Sequence, residues 1–73
     1  MGDIEITYDD PHAHRQMRMR GIREEHVEYV LNNGEFIRYN NTGTAELWGA
    51  RILDRWIVVV IEMNQRPYKV RTA

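Results

Sequence analysis

The sequence predicts an α+β protein in two layers, with two N-terminal helices packed on a four- to five-stranded antiparallel sheet in the order β-α-α-β-β-β-β. Three observations carry that expectation. Helix start and stop residues bracket two stretches in the first half, "DDPH…RGI" and "REEH…NNG". The second half breaks into short apolar-rich runs separated by "NNTGT" and "NQRP", loops built of turn residues. Its two central runs can also be paired so that one face is wholly apolar.

Element by element, "IEITY" (4–8) sets Ile4, Ile6 and Tyr8 against Glu5 and Thr7, the alternation of a half-buried strand. Asp10 can then cap a helix whose first position suits Pro11, because the missing proline N–H is not needed there. That helix should run to about Arg20 and stop at Gly21. A second helix is expected from Arg23 to Asn32, with Glu24 and Glu25 in its first turn and Val27, Val30 and Leu31 as its buried stripe. Strands follow at "EFIRY" (35–39), "AELWGARIL" (45–53), "WIVVVIEM" (56–63) and "YKVRT" (68–72).

A tight turn at Asp54-Arg55 would pair Ile52 with Ile57, Ala50 with Val59 and Trp48 with Ile61, and the helices should cover that face. The other face would hold Leu47, Gly49, Arg51, Leu53, Trp56, Val58, Val60 and Glu62. Two short helices cover one face of a sheet, yet "WIVVVI" is apolar on both. Trp56, Val58 and Val60 are therefore expected at an interface with a second copy or a protein partner. The plainer alternative is that Arg51, Lys69 and Arg71 drape their stems over that face.

A chain of 73 residues is expected to form one domain with a thin core, burying only about 60% of its unfolded surface. It has no cysteine, which suits a reducing cytoplasm and leaves no disulfide or cysteine-based zinc site. No apolar run approaches the ~20 residues that span a bilayer. The acidic start "MGDIEITYDD" does not read as a signal peptide. The net charge of −1 means that attraction to nucleic acid must be local.

Locally it is strong: "HAHRQMRMRGIR" (12–23) holds four arginines and two histidines with no acid, and Arg66, Lys69 and Arg71 follow near the end. If the first helix and last strand converge, the molecule gains a cationic side for phosphate. Cleaving RNA without a metal requires a base for the ribose 2′-hydroxyl, cations at the phosphorane and an acid for the leaving oxygen. His12 is the candidate for proton transfer, since an imidazole titrates near neutrality. Arg20, Arg51, Lys69 and Arg71 are the candidate cations, and Tyr68 can donate a proton or stack on a base. The plainer reading of His12 is a first-turn residue bonded to Asp9 or Asp10. The histidine spacing matches no metal motif, so neither metal nor cofactor is expected.

The stretch His12-Ala13-x-x-x-Met17-x-x-Arg20-Gly21-Ile22 and the "EEHVEYVL" after it resemble the domain-of-unknown-function 4258 family of small bacterial proteins. The likeness extends through "WGARI", the valine-rich strand and "KVRTA". In layout that family is similar to the RelE and BrnT toxins, metal-independent ribonucleases neutralised by an antitoxin. The resemblance implies RNA cleavage, an antitoxin partner, and a site carried by His12, Arg20 and Thr72. Gln16 and Arg23 depart from the family pattern, which often has arginine and a serine or threonine cap there.

Overall fold

The computed structural model describes residues 5–63 and 67–73; Ile4, Arg66 and most of the "NQRP" turn lie outside them. The elements are β1 (Ile6–Tyr8), α1 (His12–Arg20), α2 (Glu24–Asn33), β2 (Glu35–Tyr39), β3 (Ala45–Ile52), β4 (Arg55–Glu62) and β5 (Tyr68–Thr72). Both helices lie on one face of a five-stranded sheet ordered β1-β5-β4-β3-β2. The expected α+β layering and element order are found. The sheet, however, is mixed: β1 runs parallel to β5, with Tyr8 opposite Val70. The helices and the three middle strands make the long crossover that a parallel pair needs.

The turn at the end of α1 follows from its glycine. Gly21 adopts φ 69, its N–H meets Arg18 O at 3.2 Å, and Ile22 N–H meets Met17 O at 2.8 Å. This is a Schellman ending, in which the glycine accepts the left-handed backbone and Ile22 folds back toward Met17 in the core. At the other end of α2, Gly34 lies close against β3. A β-carbon there would stand 2.5 Å from both the Val30 and the Gly49 carbonyl oxygens.

Met17, Val27, Val30, Ile57, Val59, Ile61 and Val70 fill the layer between helices and sheet. The faces of the central hairpin are as expected, but its register is not. The turn is Leu53-Asp54, and Ala50 opposes Ile57 rather than Val59. A shift of two residues leaves every side chain on its face, so alternation cannot distinguish the two pairings. Leu53 takes the turn at φ 57 and is 92% exposed, while Arg55 enters the strand.

Candidate functional site

Alternation of exposed and buried positions divides the expected site residues between the two faces of the sheet. Ala50 and Ile52 face the helices, so Arg51 points away from them with Trp56, its partner in β4. Val70 lies under the helices, so Lys69 and Arg71 also face away. Arg71 is ion-paired with Glu62 and donates to Thr44 Oγ1 at 3.4 Å. That pairing holds the Glu62 carboxyl below the ordinary carboxylate range and raises Arg71 further.

Thr72 departs from simple alternation. It stands opposite Val60, although Val70, two residues earlier, opposes Ile61, so the strand carries an extra residue here. Thr72 thus shares the open face with Val60, and the next residue, Ala73, turns under the helices at 3% exposure. The single cleft joining His12 and Arg20 to Thr72, Arg51, Lys69 and Arg71 is not formed. Tyr68 is half-buried on the helix side and packs against the core.

Helix α1 and β5 do converge, through a different contact. Arg20 Nη1 donates to the Ala73 carbonyl at 2.9 Å. Arg55 reaches the same corner, donating to the carbonyls of Arg20 at 2.7 Å and Gly21 at 3.4 Å. The Arg20 and Gly21 carbonyls lie past the last intrahelical hydrogen bonds, at the negative end of the helix dipole, which favours a cation there.

His12 is exposed and makes no side-chain hydrogen bond or ion pair among the described residues. The capping partner expected for it belongs to His14. His14 Nδ1 lies 2.6 Å from Asp10 Oδ1 and Nε2 lies 2.7 Å from Glu24 Oε2, while Asp10 Oδ1 also accepts the His14 backbone N–H at 3.3 Å. The imidazole contacts the Tyr8 ring, with centroids 4.3 Å apart. The hydrogen bond to Glu24, then that to Asp10, raises the His14 pKa above its ordinary value. Burial, followed by the nearby Glu24, Glu28 and Asp10 charges, pushes the Tyr8 phenol up to about 12. His14 therefore ties β1, α1 and α2 together, with each ring nitrogen within hydrogen-bond distance of a carboxylate. The third histidine, His26, accepts the Arg23 backbone N–H at 3.0 Å through Nδ1 and closes the first turn of α2. No group of three His, Cys, Asp or Glu side chains among the described residues is placed to hold a metal ion.

Arg15 and Arg18 are exposed and have no hydrogen-bond or ion-pair partner among the described residues. Asp10 and Glu24, which line the same hollows, are both engaged by His14. Arg15 and Arg18 are thus left facing solvent, whereas Arg20 is turned toward the end of β5 by its bond to Ala73.

The open sheet face carries Leu47, Val58 and Val60, all half-buried, and Trp56 at 53% exposure. The indole lies over Gly49, its Cζ2 atom 2.7 Å from where a β-carbon would be. The expected interface trio therefore shares one face and is accessible there. Among the described residues, no helix is long and apolar enough to cross a membrane.

These features define a small helix-on-sheet protein with a cationic helix on one side and an apolar sheet face on the other. The family model for a domain of unknown function (DUF4258) matches residues 10–73, and the chain belongs to that family. No curated protein and no solved structure matches the chain. Sequence reasoning missed His14 and Arg55. The Asp10–His14 spacing of i, i+4 is the one signal that pointed to the first; Glu24 and the two carbonyls met by Arg55 are brought up only by the fold.

Proposed function

We propose that the chain is a RelE/BrnT-like, metal-independent endoribonuclease that handles RNA on α1 and is held in check by a partner protein. One observation carries this reading: Arg15 and Arg18 are unpaired on α1, while His14 engages the acids beside them. A near-neutral protein thereby presents phosphate with a cationic surface. Exposed His12 takes the proton of a ribose 2′-hydroxyl, whose oxygen attacks the adjacent phosphorus. The departing 5′-oxygen takes a proton from water, leaving a 2′,3′-cyclic phosphate and a 5′-hydroxyl. Arg20 is oriented by Ala73 and retains further N–H donors for the phosphate. Eight residues of helix span about 12 Å, so His12 and Arg20 bracket a stretch of strand. Thr72, Arg51, Lys69 and Arg71 lie on the other face and take no part.

The test is incubation of the purified chain, with chelator present, against mixed-sequence single-stranded RNA, alongside His12→Ala and Arg20→Ala. Cleavage by the wild type that both variants lose, with their folding intact, is the expected result. No cleavage, or equal cleavage by all three, overturns the reading.

A second reading is favoured by the half-exposed Trp56 beside Val58 and Val60: a non-catalytic module that binds a protein, or a second copy of itself, through the open sheet face. In the first reading the same face is where the restraining partner would sit. Sedimentation at rising concentration separates a self-associating module from a monomer awaiting another protein.

A further inference from the structure

Two hollows adjoin on the outer side of α1. One, of about 520 Å³, lies between α1 and α2, with nearly buried Met17 and Ile22 at its base and exposed Arg18 and Arg23 at its rim. The other, of about 440 Å³, is bounded by Asp10, Pro11, His14, Arg15 and Arg18. His14 and Arg18 belong to both. His14 is engaged by two carboxylates. Arg18, by contrast, stands unpaired on the ridge between the hollows.

A cation shared by two adjoining hollows suits a phosphodiester step, which has one anionic group between two bulky, partly flat ones. A guanidinium fork matches phosphate oxygens in pairs. Each hollow lies within the ~300–1,000 Å³ range of small-ligand sites. An acidic peptide would need carboxylates on the same cations, but nothing in such a peptide requires a hollow on each side of Arg18.

We infer that the two hollows hold successive nucleotides of single-stranded RNA, with the intervening phosphate on Arg18 and the flanking phosphates at Arg23 and Arg15. The inference rests on the RNA reading above and says where the strand lies. Pro11, the residue before the proposed proton-transfer group His12, lines the second hollow.

The experiment is an anisotropy titration of the full chain with a fluorescein-labelled, mixed-sequence single strand in which every ribose is 2′-O-methylated. That probe lacks the nucleophile and cannot be cleaved by the proposed route. Arg18→Gln should weaken binding on the order of tenfold and lower the slope of log affinity against log salt by about 0.7. Arg18→Lys should restore the slope and only part of the affinity, because it keeps the charge and loses the fork. Arg51→Gln, on the opposite sheet face, should bind like wild type. Absence of wild-type binding, an unchanged Arg18→Gln, or a polyglutamate peptide that competes as well as RNA would each overturn the inference. Tight binding of the methylated strand without cleavage of ordinary RNA would reject the ribonuclease reading and leave this one standing.

Discussion

His14 joins α1 to β1 and α2, and its chemistry makes that contribution depend on pH. Only the imidazolium donates from both nitrogens, so a neutral ring leaves either Asp10 or Glu24 without its hydrogen bond. The folded pKa lies above the unfolded one, mainly through Glu24 and then Asp10. The stabilisation is therefore fully present below about pH 6.5 and is lost as pH rises through the folded value. Urea denaturation of wild type and His14→Gln should show a stability gap that is constant below about pH 6.5 and narrows as the pH is raised beyond it. A gap that stays flat or widens as the pH is raised would mean that the ring acts by packing alone. Gly34 is sensitive for a different reason: a β-carbon would meet two backbone carbonyls, neither of which can swing aside as a side chain can. Gly34→Ala should cost roughly 1–3 kcal/mol, read from the same denaturation curves.

At the scale of the element, the question is how so polar a helix stays on the sheet. Only Ala13 and Met17 of α1 are buried. The rest of its attachment is polar: the His14 clamp, the Schellman turn, Arg20 on Ala73, and Arg55 on the last carbonyls. Met17→Ala should therefore cost about 2–5 kcal/mol, and Arg55→Met about 1 kcal/mol through the two carbonyl bonds. Arg55→Met should also loosen the end of α1, measurable as faster amide exchange at Gly21 and Ile22; unchanged exchange would show that the glycine turn holds without it. Much of this helix was legible in the sequence, because Gly21, Asp10 and the Ala13–Met17 stripe each act within a turn or two of themselves. The hairpin register was half legible. Alternation specifies the face, whereas the turn is placed by the backbone of Leu53 and by Arg55 reaching a helix more than thirty residues earlier. Thr72 was misplaced because a bulge adds one residue without leaving a mark in a period-two pattern. The parallel β1–β5 pairing joins the two ends of the chain and has no local signal.

The sheet separates a cationic helical side from an apolar open side, and this division bears on what the whole molecule does. Arg18 and Trp56 are on opposite sides of the sheet, with no bonded network between them among the described residues. Substitutions at sites without shared partners act additively. If RNA lies on α1, Trp56→Lys should leave the affinity of the methylated strand within about twofold, and Arg18→Gln/Trp56→Lys should bind like Arg18→Gln alone. Trp56 is half exposed, so a lysine there can keep its stem on Gly49 and its charge in water without unfolding the sheet. The same change should abolish any association through the open face, because it places a charge at the centre of the apolar patch. Loss of RNA affinity in Trp56→Lys would reverse this assignment. The exposed indole, with Arg51 beside it on the face away from the helices, would then be a stacking platform for bases. Unchanged RNA affinity with lost self- or partner association would instead leave one protein with two surfaces, α1 for the strand and the sheet for the protein that restrains it.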